Sequence, residues 1–337
     1  MFRLTHTLQM AVVKDIRRSA LQYTGALVLV VMVTLVTQEL HFTRYQSQIF
    51  VKEMSSLNNP NRHIHTVTDY YFNLTCLKED VNMISETKAK VEQLMQSPVI
   101  NDFKMRFTVS LAHKCADFIP EVIIIVPSSR GNFQNRKNVR EGNQGIYTKL
   151  NNNSVLLLFF IGNGPRWEKP NITNILSDEM KQHGDIVQAD FEDIYRNVLL
   201  KHIEMMKWIQ TYCQGARFIL RTDDDVGVDM NQLVQSMRRH GSEREHFILG
   251  LIKEGDRVHR EGYWKWVVPI EDYAPAIWPR FVHGGAIGYP TSTVKLLYEA
   301  ARRIKTVWLD DVFITGVCAS ALGIPRCEDK SFGFLHE

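Results

Sequence analysis

After Glu121 the chain runs Val122-Ile-Ile-Ile-Val126 and is closed by Pro127, and these few residues restrict its fold more than any others. A strand with one wet face alternates polar and apolar residues. A run without alternation suits a strand buried on both faces, as in a sheet covered by helices. Val155–Ile161, ended by Gly162, is a second such run, and Phe218-Ile-Leu220 a third that leads into Asp223-Asp224-Asp225. Between them Ile194–Tyr212 places Ile194, Val198, Leu199, Ile203, Met206 and Ile209 at helical spacing. Further helices are expected at Met230–Arg239, Ser292–Ile304 and Asp311–Leu322, with a weaker helical pattern between Glu79 and Met95. Strand–helix alternation of this kind predicts an α/β sandwich with a largely parallel sheet. With 45% hydrophobic residues, the chain has the apolar material that disordered sequences lack. Five cysteines in 337 residues exclude a small disulfide scaffold. A net charge of +3 gives no reason to expect a nucleic-acid partner.

The N-terminal region has a different character. Ala20–Val36 carries no charge, with Lys14, Arg17 and Arg18 before it and Glu39 after it. A short apolar span with positive charge ahead of it predicts a membrane anchor with the N-terminus cytoplasmic and the remainder luminal. A cleaved signal peptide is the alternative, against which stand the long basic head and the lack of a small-x-small cleavage site. Sequons at Asn73, Asn152 and Asn171 agree with luminal exposure. The expected organisation is a tail over 1–19, an anchor over 20–37, a stem or accessory region over 38–118 and a catalytic domain over 119–337. The five cysteines allow two disulfides with one left over, and none has zinc-site spacing.

Chemistry is expected at the acidic clusters. Three carboxylates ending a buried strand are costly unless something compensates them. In open α/β sheets, ligands bind beyond the carboxyl ends of the strands, where these aspartates fall. Hard oxygens suit Mn²⁺ or Mg²⁺ bridging to phosphate, so one or two of Asp223, Asp224 and Asp225 are candidate metal ligands. A solvated acidic turn that caps the next helix is the other reading. Asp310 and Asp311 head a helical pattern, where a carboxylate caps the helix or one of the two serves as a general base. Gly284-Gly285 in PRFVHGGAIGY permit a close backbone approach to a ligand or an unusual turn. Arg136 and Arg140 open a basic helix after the first strand and are candidate phosphate ligands.

These blocks, in this order, resemble the β1,3-glycosyltransferase family of galactosyl- and N-acetylglucosaminyltransferases, whose fold is of the GT-A type. Arg136-Lys-Asn-Val-Arg140-Glu-Gly-Asn143 is similar to the family's arginine-rich block, with Gly142 and Asn143 in place of Thr and Trp. Phe159-Phe-Ile-Gly162 and the stretch from Glu179 to Lys201 follow suit, and Arg221-Thr-Asp223-Asp224-Asp225 resembles Lys-Thr-Asp-Asp-Asp. His283-Gly284-Gly285-Ala286 resembles the late glycine block, with Ala286 for a glycine; its usual Cys is absent, so the resemblance supplies no partner for Cys213. Asp310-Asp311-Val312 is similar to Glu-Asp-Val, with Gly316 following.

The resemblance implies inverting transfer of a hexose, galactose first and N-acetylglucosamine second, from a UDP-sugar to a hydroxyl of a glycoprotein or glycolipid glycan. It implies a β1,3 linkage, Mn²⁺ (or Mg²⁺) held chiefly by Asp225 with Asp223 or Asp224 nearby, and Asp311, less readily Asp310, as the base. Asp224 is alternatively a ribose ligand. Arg136 and Arg140 would position the nucleotide together with Gly284 and Gly285, and Asp185 and Asp190 lie near the uridine or act as supports. A single-pass Golgi protein, in a homodimer or alone, completes the expectation. The rival is a non-catalytic luminal relative, a chaperone or glycan-binding protein; the persistence of both acidic motifs favours the enzyme. The topology has a direct check. Protease added to intact microsomes should remove only a short N-terminal segment, and digestion of the bulk without detergent would refute a luminal domain.

Overall fold

The computed structural model describes residues 84–334, apart from 117, 263 and 264. The anchor expected at 20–37 and the sequon at Asn73 lie outside the described residues. Among the described residues no helix is long and apolar enough to cross a membrane.

Among the described residues eight strands form one mixed sheet in the order β1-β4-β3-β2-β5-β7-β6-β8. They are β1 Phe107–Val109, β2 Val122–Pro127, β3 Val155–Asn163, β4 Ile186–Glu192, β5 Phe218–Thr222, β6 Ile248–Lys253, β7 Phe281–Pro290 and β8 Arg326–Glu328. β4, β3, β2 and β5 run parallel. β6 and β8 are parallel to each other as well, so the expectation of a largely parallel sheet holds, broken by β1 at one edge and by β7, which enters antiparallel between β5 and β6. That reversal positions the site: the start of β7 lies beside the end of β5, with Thr222 in register with Ala286.

The apolar run of β2 has a simple cause. Ile123 and Ile125 face one core, where Trp208, Phe313 and Leu297 are buried; Val122, Ile124 and Val126 face another with Leu233, Met237 and Phe159. Both faces of the strand are therefore dry, and no polar residue fits. The first core is covered by the helices Val198–Tyr212, Thr291–Ala301 and Ala319–Leu322, the second by Phe133–Glu141, Pro170–His183 and Met230–Glu243. The segment expected as Asp311–Leu322 is helical, but Val312–Cys318 winds as a π-helix before the α-helical turn Ala319–Leu322. Such wide turns recur at functional sites.

Part of the stretch read as a stem or accessory region packs on this fold. The helix Ile84–Gln96 lies against the C-terminal helices, where Thr87 Oγ1 donates to Gly323 O (3.0 Å). Asn101 Nδ2 donates to Ala301 O and Ile304 O. Cys115 is disulfide-bonded to Cys213, with 5.4 Å between Cα atoms, which ties this region to the end of the helix Val198–Tyr212. Cys327 is also disulfide-bonded and Cys318 is free and buried. Asn152, in the turn before β3, and Asn171, in the first turn of Pro170–His183, are both exposed.

Candidate active site

A cavity of about 850 Å³ opens beyond the carboxyl ends of β2 and β5 and the start of β7, and both acidic motifs line it. Each aspartate is held differently. Asp224 is buried, and its carboxylate accepts hydrogen bonds from Ser128 Oγ (2.6 Å), Asn132 Nδ2 (3.0 Å) and Asn135 Nδ2 (3.1 Å). Asp223 is half-buried; its N–H donates to Gly285 O, and its carboxylate lies 2.8 Å from Arg221 Nη1. Asp225 is exposed and has no hydrogen-bond partner among the described residues.

Arg221, buried at the end of β5, also reaches the second motif: Nη2 donates to Asp310 Oδ2 at 3.2 Å. The same oxygen lies 2.9 Å from Nδ1 of His202, whose Nε2 is 3.1 Å from the Tyr289 hydroxyl. Against the cost of burial, Arg221 and His202 hold the Asp310 carboxyl below the ordinary range. Asp311 experiences the reverse. Burial, and then the charge of Asp310, push its carboxyl well above the ordinary range, although Val312 N–H (2.7 Å) and Gly284 N–H (3.1 Å) donate to it. Two adjacent carboxyls thus differ widely in proton affinity, which is how acid and base roles are separated.

The paired glycines are in strand, not in an unusual turn. A Cβ on Gly284 would stand 3.3 Å from Asp311 Oδ2, and one on Gly285 would meet the Phe334 ring at 2.3 Å. The close approach that their smallness permits is to the chain's own Asp311 and Phe334, where a ligand was expected.

Four expected ligands are not brought to the cavity. Arg136 is 0% exposed; it pairs with Glu179 and donates to Ser128 Oγ and Ser129 O, so it reaches the cavity only through the residues that line it. Arg140 pairs with Glu179 and Asp185, and these three line a separate cavity of about 770 Å³. Asp190 pairs with Arg106 at the β1–β4 edge. Arg136, Arg140 and Asp185 already have their counter-charges in positions shielded from water and act as braces, whereas Asp190 pairs with Arg106 at an exposed sheet edge away from the cavity. Conversely, sequence reading missed Ser128, Asn132, Lys201, Asp193 and His202. Lys201 Nζ donates to Ser128 O (2.6 Å) and Asp193 Oδ1 (2.8 Å), while Gly162 N–H donates to Asp193 Oδ2, joining the ends of β2 and β3. The only sequence signal was their position just after strands or on the inner face of a helix.

Among the described residues no three His, Cys, Asp or Glu side chains converge as a preformed metal cage. The donor set fits a different kind of site. Mg²⁺-type ions are commonly held by one or two carboxylates and completed by substrate phosphates and water, and Asp225, with Asp223 beside it, is of that kind.

A strand-end carboxylate cluster sharing a cavity with a half-buried base candidate suits group transfer from a charged donor, and sequence comparison identifies the class. The galactosyltransferase family matches residues 134–330, and the chain belongs to that family. Beta-1,3-galactosyltransferase 1 of Homo sapiens is 26% identical over 236 residues, covering 69% of this chain and 70% of the relative. A Mus musculus acetylgalactosaminyl-O-glycosyl-glycoprotein beta-1,3-N-acetylglucosaminyltransferase is 29% identical over 206 residues, covering 60% and 52%. A lactosylceramide 1,3-N-acetyl-beta-D-glucosaminyltransferase of Xenopus laevis is 27% identical, covering 65% and 59%. The chain is accordingly a hexosyltransferase by class.

The ion network makes a stability prediction. Removing one partner of a buried pair leaves an uncompensated charge, so Arg221→Met should lower the unfolding free energy by about 3–5 kcal/mol. Arg221→Lys, which keeps a cation, should lose less. Because Asp310 is depressed in the fold, its contribution is complete above the unfolded value of about 4 and disappears as pH falls through the folded one. Urea unfolding of the full-length protein at pH 7 measures the difference, and a wild-type midpoint for Arg221→Met would remove Arg221 as the compensating charge.

Proposed function

We propose that this protein transfers a hexose, galactose in the first instance, from a UDP-sugar to a glycan hydroxyl with inversion, forming a β1,3 linkage. The observation that carries the reading is the pairing, within one cavity, of a free strand-end carboxylate with a half-buried carboxylate that two backbone N–H groups hold in place and whose proton affinity is raised. The names of the relatives agree in linkage and differ in sugar.

The chain's own residues divide the work. Asp311 takes the proton of the acceptor hydroxyl; Val312 and Gly284 N–H groups fix its orientation. Asp310 is unsuited to that role, since His202 and Arg221 occupy its carboxylate and hold it ionised. As the acceptor oxygen bonds to the anomeric carbon, the bond to the diphosphate oxygen breaks and its electron pair leaves with UDP. Asp225, with Asp223, would hold a divalent ion, Mn²⁺ first, which supplies charge stabilisation for the leaving diphosphate. Asp224, saturated by Ser128, Asn132 and Asn135, fixes the loop after β2 against the end of β5 and supports the nucleotide side of the cavity. The GT-A fold type, a single anchor and residence in the Golgi membrane complete the proposal, supported by the family resemblance and by the charge asymmetry about residues 20–36.

Two outcomes test it. With the full-length protein and a panel of UDP-sugars, transfer should require a divalent ion. Asp225→Asn should abolish the metal-dependent part of UDP binding in calorimetry while leaving the unfolding midpoint in place, and unchanged binding would move the ion elsewhere.

Asp311→Asn should retain UDP-sugar binding and lower transfer by about 10²-fold or more, within the range for positioned bases. Asn caps a helix about as well as Asp, so a capping role alone leaves transfer near normal. The pH profile adds a sign. The base works deprotonated, so kcat/KM should fall with decreasing pH along a limb placed above the ordinary carboxylate value of about 4. Asp311→Asn should erase that limb. A limb at the ordinary value, or its survival in the variant, would refute Asp311 as the base.

A further inference from the structure

On one rim of the same cavity two aromatic side chains stand in the open. Tyr195 is 53% exposed and Trp266 41% exposed, and both line the cavity that holds Asp311. They are not independent surface residues. The Trp266 indole N–H donates to the Tyr195 hydroxyl at 3.0 Å, which fixes the two rings relative to each other. Tyr195 also meets the Trp308 ring edge-on at 5.8 Å between centroids, and Arg196 lies 4.4 Å over Trp308. Trp308 in turn is two residues before Asp310. The Lys265 ammonium lies 5.4 Å over the Tyr195 ring and 5.0 Å over that of Trp266. Lys265 is itself exposed and donates to no acceptor among the described residues.

Exposing this much fixed aromatic surface beside a polar cleft has a cost in water, and such patches mark ligand contacts. The ligand must offer an apolar face for the rings and oxygen atoms for the ammonium and the phenol. A pyranose does both, with C–H groups on a ring face and hydroxyls around its edge. The donor nucleotide does not need this rim, because Asp225, the free carboxylate that would hold the metal ion of its diphosphate, stands just beyond the end of β5. We propose that Tyr195 and Trp266 form the platform on which the acceptor's terminal pyranose lies, with Lys265 donating to that sugar's hydroxyls. A sugar laid on the rings displaces the ammonium to its edge, a short swing on a four-carbon stem. The platform and the base share one cavity, and Tyr195 packs edge-on against Trp308, two residues before Asp310. The acceptor hydroxyl is thereby presented to Asp311 by binding energy supplied away from the reacting atoms. This deepens the transferase reading and rests on it.

Steady-state kinetics of the full-length protein, with p-nitrophenyl β-galactoside and p-nitrophenyl β-N-acetylglucosaminide as acceptors, test the platform. Trp266→Ala should raise the acceptor KM by at least about tenfold, the loss typical of a truncated aromatic anchor, with the UDP-sugar KM unmoved. Trp266→Phe, which keeps a ring, should recover most of the acceptor affinity; a purely structural role for the indole hydrogen bond would leave both variants alike. An increase in the UDP-sugar KM would assign the rings to the donor and overturn the proposal, as would an unchanged acceptor KM. Absence of transfer to either glycoside in the wild type would count against the transferase reading. In that case saturation-transfer NMR of methyl β-galactoside on the UDP-loaded protein still decides the platform. Signal lost in Trp266→Ala upholds it, and no signal in the wild type, or signal retained in the variant, overturns it.

Discussion

The buried guanidinium of Arg221 is the interaction on which the site depends. It lies between Asp223, its near neighbour in sequence, and Asp310, 89 residues away. A buried cation is tolerable only with its counter-charges in place, and a buried Asp310 is tolerable only with Arg221 and His202. The two acidic motifs are therefore coupled through one residue of β5. The antiparallel insertion of β7 makes this possible, because it brings Gly284 and Gly285 beside the strand end and leaves room for Asp311 behind them.

How much of this was readable in the sequence follows from what each pattern can report. β2, β3 and β5 are legible since burial on both faces excludes polar residues from every position. β7 is not, because HGGAIGY carries glycines required by Asp311 and Phe334, and a strand selected for closeness loses the β-branched signature. Arg136 and Arg140 look like an exposed basic helix start, and nothing local shows that Glu179 stands against both. His202 is hidden within an otherwise apolar helix pattern. The acidic motifs were legible because strings of carboxylates at the ends of apolar segments are costly, and cost is visible in one dimension. Their division of roles was not, because it depends on which carboxylate receives a distant donor.

That division is where fold becomes chemistry. Asp224 spends its lone pairs on Ser128, Asn132 and Asn135; Asp223 answers Arg221; Asp225 alone keeps its oxygens for a ligand. Five aspartates of identical intrinsic chemistry are thus sorted by partners that arrive from the loop and helix after β2, from β5, from β7 and from the helix Val198–Tyr212. The loop after β2 does for the nucleotide side what Arg221 does for the base side, converting a carboxylate into a strut.

The last step concerns the relation between Asp310 and Asp311. If Asp310 took up a proton, Arg221 would lose one of its two counter-charges in a place without water, so the fold itself opposes that protonation. A carboxylate kept ionised for structural reasons is then a permanent negative charge beside Asp311, and together with burial it makes the neighbouring carboxyl a stronger proton acceptor. The basicity of Asp311 is in this sense a by-product of the ion pair that closes the core. It needs no separate device at the site, and it explains why two adjacent aspartates, one buried in a salt bridge and one facing the cavity, are worth more than either alone.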